Sequence, residues 1–288
     1  MRIWLQLFRP WSYVATLAPF MLAMGMEGGK PEANYFAWFL AFLSALGFQA
    51  AANLLNTWGD YHSGVDLVPG THVTTPQLTD GRLKPAHVLA MAAAALAMAV
   101  SLGIIAAIKS APDGALVNIR LIAIGVIGAI GAVNYSTLFT FKYYGLGVPL
   151  VSILMGVLLP LAAIFTINPM ADLSLLPTIP LALLIGVIMH GNDMRDMRSD
   201  RAARIKTFAL ILGEHGALGY YVFAHLAAYI AAFIASAIPQ AFALLAILPI
   251  SIATIMRAIR DRPNWFGLER QSGAILFLFS VIYAWSFR

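Results

Sequence analysis

The chain has 288 residues, of which 60% are hydrophobic and 11% charged, with a formal net charge of +5 and no cysteine. A soluble domain carries about 25% charged residues, so this composition excludes a soluble enzyme, a disordered chain and a collagen-like or disulfide-rich secreted protein. Without cysteine there are no thiolate metal sites and no cysteine nucleophile.

A membrane-crossing helix needs about 20 mostly apolar residues. In chain order such runs fall at 11–27, 35–58, 86–109, 118–139, 146–167, 175–191, 215–237, 240–257 and 270–287. The first is short, but no small-residue cleavage pattern follows it, so it reads as a span and not a signal peptide. Alternation of the membrane-barrel kind is absent. The expected fold is an all-α polytopic membrane helix bundle of about nine transmembrane helices, a single domain over 1–288.

Lysine and arginine set the expected orientation. With the N-terminus in the cytoplasm, 14 of the 18 basic residues fall inside, among them Arg2, Arg9, Arg82, Lys84, Lys142, Arg195 and Lys206. Only Lys30, Lys109, Arg120 and Arg288 fall outside. This bias gives the positive charge a topological meaning, and no nucleic-acid partner is expected. Nine of the 13 acids share the inner face, which the topology rule does not require.

Two polar segments stand out there. Past the second run come Asn53, Asn56 and Asp60, then Gly64 and Asp66. A helix continued to Asp60 would put the first three, at i, i+3 and i+7, on one face. Past the sixth run come Asn192, Asp193, Asp196 and Asp200, the three acids at the same spacing. The two stripes lie four spans apart, as in a four-helix unit used twice. Asn56 aligns with Asn192, or Asn53 with Asp193, and both registers stay open.

Any one of these residues alone would serve as a solvated helix end. As a set, acids beside a membrane mark function, since they are costly there. Acid and amide oxygens are hard ligands suited to Mg²⁺, which is typically held by one or two carboxylates plus substrate phosphates. Arg82, Lys84, Arg201 and Lys206 are positioned in sequence to bind phosphate oxygens. Zinc fits poorly, and His62, His72 and His190 read as hydrogen-bonding neighbours. No Walker loop or nucleophile elbow is present. The flanking loops 60–85 and 192–214 are lid candidates, with Gly64, Gly70 and Gly81 as hinges.

These segments resemble the UbiA superfamily of intramembrane prenyltransferases. The first motif reads Asn56-Thr57-Trp58-Gly59-Asp60 with Asp66 following; the second reads Asn192-Asp193-Met194-Arg195-Asp196 with Asp200, Arg201 and Lys206 following. Arg9-Pro10, the segment Leu78 to Leu83, and Tyr135-Ser136 with Lys142 and Gly145-Leu146-Gly147 fit in order. The resemblance covers nearly the whole chain. Within the superfamily it is greatest to the 1,4-dihydroxy-2-naphthoate prenyltransferases of menaquinone synthesis. Thr57 stands where the family commonly has Asp, and Val148 where that branch usually has Glu.

The resemblance implies Mg²⁺-dependent transfer of an isoprenyl group from a prenyl diphosphate to an aromatic acceptor in a bacterial or archaeal cytoplasmic membrane. It implies metal binding by Asn56, Asp60, Asp193, Asp196 and Asp200, and diphosphate binding by Arg9, Arg82, Lys84, Lys142, Arg201 and Lys206. Lys142 and Tyr135 would contact the leaving diphosphate or the acceptor, and Asp66 would orient or deprotonate the acceptor. Asn53, Asn192 and Trp58 would touch substrate. Other acceptors (4-hydroxybenzoate, homogentisate or a glycerol-phosphate lipid) and a non-catalytic lipid-binding role are the alternatives. A carrier is disfavoured because its polar groups belong at mid-membrane.

Overall fold

The computed structural model describes residues 6–67, 76–236 and 238–288. Arg2, Gly70 and His72 lie outside the described residues. Among the described residues no β-strand forms, and the sole bridge pairs Tyr144 with Lys206.

Each apolar run contains helix: α1 Val14–Glu27, α2 Tyr35–His62, α3 Pro85–Lys109, α4 Ile119–Asn134, α5 Gly147–Ile167, α6 Ile179–Ala202, α7 Phe208–Ala235, α8 Leu248–Arg260 and α9 Leu268–Trp285. Local chemistry sets several starts. The side chains of Asn34 and Asn118 accept the N–H groups of Ala37 and Leu121, capping α2 and α4. Pro85 and Pro180 open α3 and α6, where a missing N–H costs nothing. Five helices are long and apolar enough to cross a membrane, or six with the bent pair Pro239–Ala246 and Leu248–Arg260. The expected nine crossings and the cytoplasmic N-terminus rest on the sequence.

Small residues bring the helices together, as in membrane bundles. Ser44 on α2 donates to the Ala99 carbonyl of α3 at 2.7 Å. A π-helical turn at Leu154–Leu158 in α5 presents Gly156 to Ala182 of α6, where a Cβ would lie 2.2 Å from the Ala182 Cα. Helices α1, α5, α6 and α9 pack around one centre. The most extensive pairings, α2 on α3 and α6 on α7, are four helices apart, the offset at which the polar stripes recur. On α3, Met98, Ile104, Ile105 and Ile108 face outward, an apolar surface suited to lipid.

Candidate active site

Helix α2 continues to His62, so Asn53, Asn56 and Asp60 share a face and all line one cavity. The loop after α4 presses onto α2 at Gly59, where a Cβ would meet the Ser136 carbonyl oxygen at 2.2 Å. That close approach lets Ser136 Oγ donate to Asn56 Oδ1 at 2.8 Å. From the same loop, Lys142 Nζ donates to Asn56 Oδ1 and Asp60 Oδ1. The Tyr143 hydroxyl donates to Asp60 Oδ1 at 2.6 Å. Burial, and then the Asp60 charge, push the Tyr143 phenol well above its ordinary pKa, so it stays a donor.

Asn53 serves the fold as well as the cavity. Its amide nitrogen donates to the Phe8 carbonyl at 3.0 Å and to Ser12 Oγ at 3.1 Å, fixing the N-terminal segment. Thr57 accepts a hydrogen bond from Arg9 Nη2 at 3.2 Å and donates to the Asn53 carbonyl at 3.1 Å. Arg9 lines the cavity, and its Nε is buried without a partner.

The second segment is helical throughout, and Asn192, Asp193, Asp196 and Asp200 line the same cavity. Asp193 Oδ2 accepts the Phe208 N–H at 3.2 Å, satisfying a free donor at the start of α7. Both Asp196 oxygens are held by Arg195, through Nε at 2.8 Å and Nη2 at 2.5 Å. Arg195 Nη1 reaches Glu269 Oε1, at the start of α9, at 3.0 Å. The Lys206 N–H donates to the Tyr143 carbonyl at 3.0 Å, joining the loop beyond the second stripe to the loop that serves the first.

The cavity has a volume of about 840 Å³. Its polar end is the two stripes with Tyr135, Lys142, Tyr143 and Asp66; its apolar end includes Phe20, Ala45, Leu158 and Ala162. Away from the polar end, Val100, Ile104, Val126 and Ile130 both line it and are exposed, so it opens sideways at α3 and α4. Ten charged side chains line it, six acids and four bases, an excess of two negative charges when all are ionised. Burial, and then Asp60, push the Asp66 carboxyl up to about 6.

Five expected contacts are not in this lining. Trp58 lies on another face of α2, packed with Leu54, Leu78 and Leu83 and stacked on His62 at 4.7 Å. Arg82 is exposed and paired with Asp80 at 2.5 Å. Lys84, Arg201 and Lys206 are exposed, and Lys206 reaches the site through its backbone. His190 is buried against the Ala217 carbonyl at 2.8 Å, a neighbour as expected. Gly64 and Gly81 both have a φ of +79°, a turn conformation that suits the proposed hinges.

Sequence reasoning gave no site role to Arg195, Tyr143 or Glu269. Arg195 sits inside the second motif and Tyr143 beside Lys142, so both carried a signal. Glu269 carried none.

Among the described residues, no three His, Asp or Glu side chains converge to hold a metal by themselves. The oxygen donors on α2 and α6 nevertheless fit Mg²⁺, which takes few protein carboxylates and completes its octahedron with phosphate and water.

These features define a helical membrane protein whose cavity suits an amphiphile with an anionic head and an apolar tail. The UbiA prenyltransferase family profile matches residues 15–285, and the chain belongs to that family of prenyl-transferring enzymes. It is 30% identical over 274 residues to UbiA prenyltransferase domain-containing protein 1 of Xenopus tropicalis, covering 91% of this chain and 71% of that protein. It is 27% identical over 225 residues to 1,4-dihydroxy-2-naphthoate octaprenyltransferase of Bacillus subtilis (strain 168), covering 78% and 70%. Its fold is similar to that of a UbiA homologue from Archaeoglobus fulgidus bound to GPP and Mg²⁺, with a TM-score of 0.64 and 17% identity over 100% of this chain and 99% of the other. Identities of 30% and 27% to differently named relatives do not assign the naphthoate branch.

Proposed function

We propose that the protein transfers a prenyl group from a prenyl diphosphate to an aromatic quinone precursor, with 1,4-dihydroxy-2-naphthoate the leading acceptor. The observation that carries this reading is the pair of acid-amide stripes lining the polar end of a sideways-open apolar cavity. The name of the Bacillus subtilis relative supports the naphthoate acceptor. With the nine spans and cytoplasmic N-terminus expected from the sequence, the reacting end lies at the cytoplasmic face.

The diphosphate head lies between α2 and α6 and the tail in the apolar part. Asn56 and Asp60 would hold one Mg²⁺, and Asp196 and Asp200 the other, with Asp193 beside them. The metal would supply charge neutralisation of the diphosphate and Lewis-acid help to the departing oxygen. Lys142 and Arg9 contribute positive charge to that head. As the allylic C–O bond breaks, its electron pair leaves with the diphosphate. Asp66 accepts a hydroxyl proton from the acceptor, raising the electron density of the ring. An electron-rich ring carbon of the acceptor then bonds to the prenyl carbon, and the ring regains aromaticity by shedding a proton or, from a carboxylated position, carbon dioxide, while the hydroxyl oxygen takes its proton back from Asp66. The apolar walls keep water from the allylic cation.

The test is turnover in nanodiscs with Mg²⁺, prenyl diphosphates of several lengths and four acceptors: 1,4-dihydroxy-2-naphthoate, 4-hydroxybenzoate, homogentisate and a glycerol-phosphate lipid. Mass spectrometry should find a prenylated naphthoate product. Asp60→Ala and Asp196→Ala should each lower its rate by about 100-fold or more. A product on another acceptor would keep the transferase reading and replace the acceptor. No product from any pair would sink the proposal.

A further inference from the structure

We infer that Arg195 is a resident counter-ion of the second metal position, holding Asp196 until a divalent cation displaces it and then turning the freed edge of its guanidinium to the diphosphate. The inference deepens the proposed function and rests on it.

The geometry is one of competition. Arg195 meets both oxygens of Asp196 at 2.8 and 2.5 Å. Mg²⁺ needs a carboxylate oxygen at about 2.1 Å; each Asp196 oxygen keeps a second lone pair, but a carboxylate neutralised and oriented by both arms of a guanidinium fork attracts a dication less strongly, and the guanidinium charge repels it. Successive helix residues do not share a face, so the pair closes only because the Arg195 side chain folds back along the cavity wall. Release therefore needs a rotamer change and no movement of α6.

Glu269 makes that release local. It is 6% exposed, it accepts Arg195 Nη1 at 3.0 Å, and its Oε2 is buried without a partner. Its backbone is fixed against α6, where a Cβ on Gly191 would lie 3.2 Å from the Glu269 nitrogen. A guanidinium that leaves Asp196 thus keeps one carboxylate partner. Its Nε and Nη2 edge then faces the cavity, and a planar fork of that kind matches two phosphate oxygens.

Lys142 occupies the first stripe in the same manner, through Asn56 and Asp60. The metal-free site thus pairs an acid with a side-chain cation at each stripe. Metal alone must expel a cation, and diphosphate alone meets carboxylates whose nearest cations, Lys142 and Arg195, are already engaged. Each ligand prepares the site for the other, and the coupling must be reciprocal.

The test uses the full chain in nanodiscs, with Mn²⁺ as the metal probe and geranyl thiolodiphosphate as the unreactive diphosphate. Free Mn²⁺ is read by electron paramagnetic resonance. Arg195→Met should bind Mn²⁺ alone about tenfold more tightly than the parent protein, and bind the thiolodiphosphate in the presence of Mn²⁺ about tenfold more weakly. Glu269→Gln leaves Asp196 as the sole carboxylate partner of Arg195 and should weaken Mn²⁺ binding alone, the opposite sign. Arg270→Met removes another cavity cation and should change Mn²⁺ affinity far less; an equal gain would mean a general field effect and overturn the inference. If Arg195→Met does not fold, Arg195→Lys, which cannot hold both oxygens as a fork, should still raise Mn²⁺ affinity. Unchanged or weaker Mn²⁺ binding in the Arg195 variants, beside normal joint binding in the parent, would overturn the inference alone. A parent protein that binds no Mn²⁺ even with thiolodiphosphate would overturn the metal-dependent reading itself.

Discussion

Asp66 stands on the short helix Val65–Leu67, just beyond α2, and lines the cavity near the Asp60 carboxylate. Its carboxyl is pushed up to about 6 by burial first and by Asp60 second. The sign for catalysis follows from the role as proton acceptor. Above the pKa the group is ionised and accepts; below it the proton is already present. The kcat/KM for the acceptor should be level above pH of about 7 and fall about tenfold per unit below about 6. Asp66→Asn should lower kcat by about 100-fold and remove that limb. A limb that persists in the variant would belong to another group. Tyr143 gives a second expectation. Its 2.6 Å hydrogen bond positions Asp60, and a hydrogen bond to a charged group is worth about 1.5–3 kcal/mol. Tyr143→Phe should therefore cost about tenfold or more in kcat/KM, and an unchanged value would show that Lys142 positions Asp60 alone.

Helix ends carry the site, and they were unevenly legible. The apolar run at 118–139 implied a helix to its end, yet α4 stops at Asn134. There Asn134 Nδ2 turns back to the Ile130 carbonyl at 2.8 Å, and the apolar Leu138 and Phe139 beyond are exposed in the loop. Hydropathy cannot separate a lipid-facing loop from a helix end. The continuation of α2 and α6 through their polar stripes was legible, because the i, i+3, i+7 spacing has meaning only on a helix. The π turn in α5 was not, since the residues around it are apolar on every side. What brings the elements into register is contact between backbones, and Gly59 is the critical place. Gly59→Ala would drive a methyl group into the Ser136 carbonyl oxygen, and overpacking of this kind costs about 1–3 kcal/mol. The loop carrying Ser136, Lys142 and Tyr143 would shift off Asn56 and Asp60. Both the melting temperature and kcat should fall; a fall in melting temperature at full kcat would uncouple that loop from catalysis.

Across the whole molecule, the two stripes could be read from spacing; of the groups facing them, the family resemblance named Lys142 and nothing named Glu269. Lys142 is 82 residues from Asp60, and Glu269 is 74 from Arg195. Only packing makes such pairs, and a lone acid in the first turn of the last helix gives no pattern to read. The tail region was equally hidden, because an apolar residue lining a cavity resembles one facing lipid. On the proposed reading the tail runs along α4, where Gly125 and Gly128 line the cavity and a Cβ at either would meet nothing within 4 Å. Gly125 lies ten residues before Tyr135, about 15 Å down the helix from the polar end at 1.5 Å per residue. A bulky side chain there would enter open space and shorten the apolar part without disturbing the stripes. Gly125→Leu should leave the shortest prenyl diphosphate with its parental kcat/KM and cut that of the longest accepted one by about tenfold, on the order of the cost of a lost apolar contact in a hydrophobic pocket. Competition between donors of different length, with products read by mass spectrometry, would show the shift. An unshifted product distribution would mean that the tail leaves the polar end by another wall and passes out between the helices before it reaches Gly125.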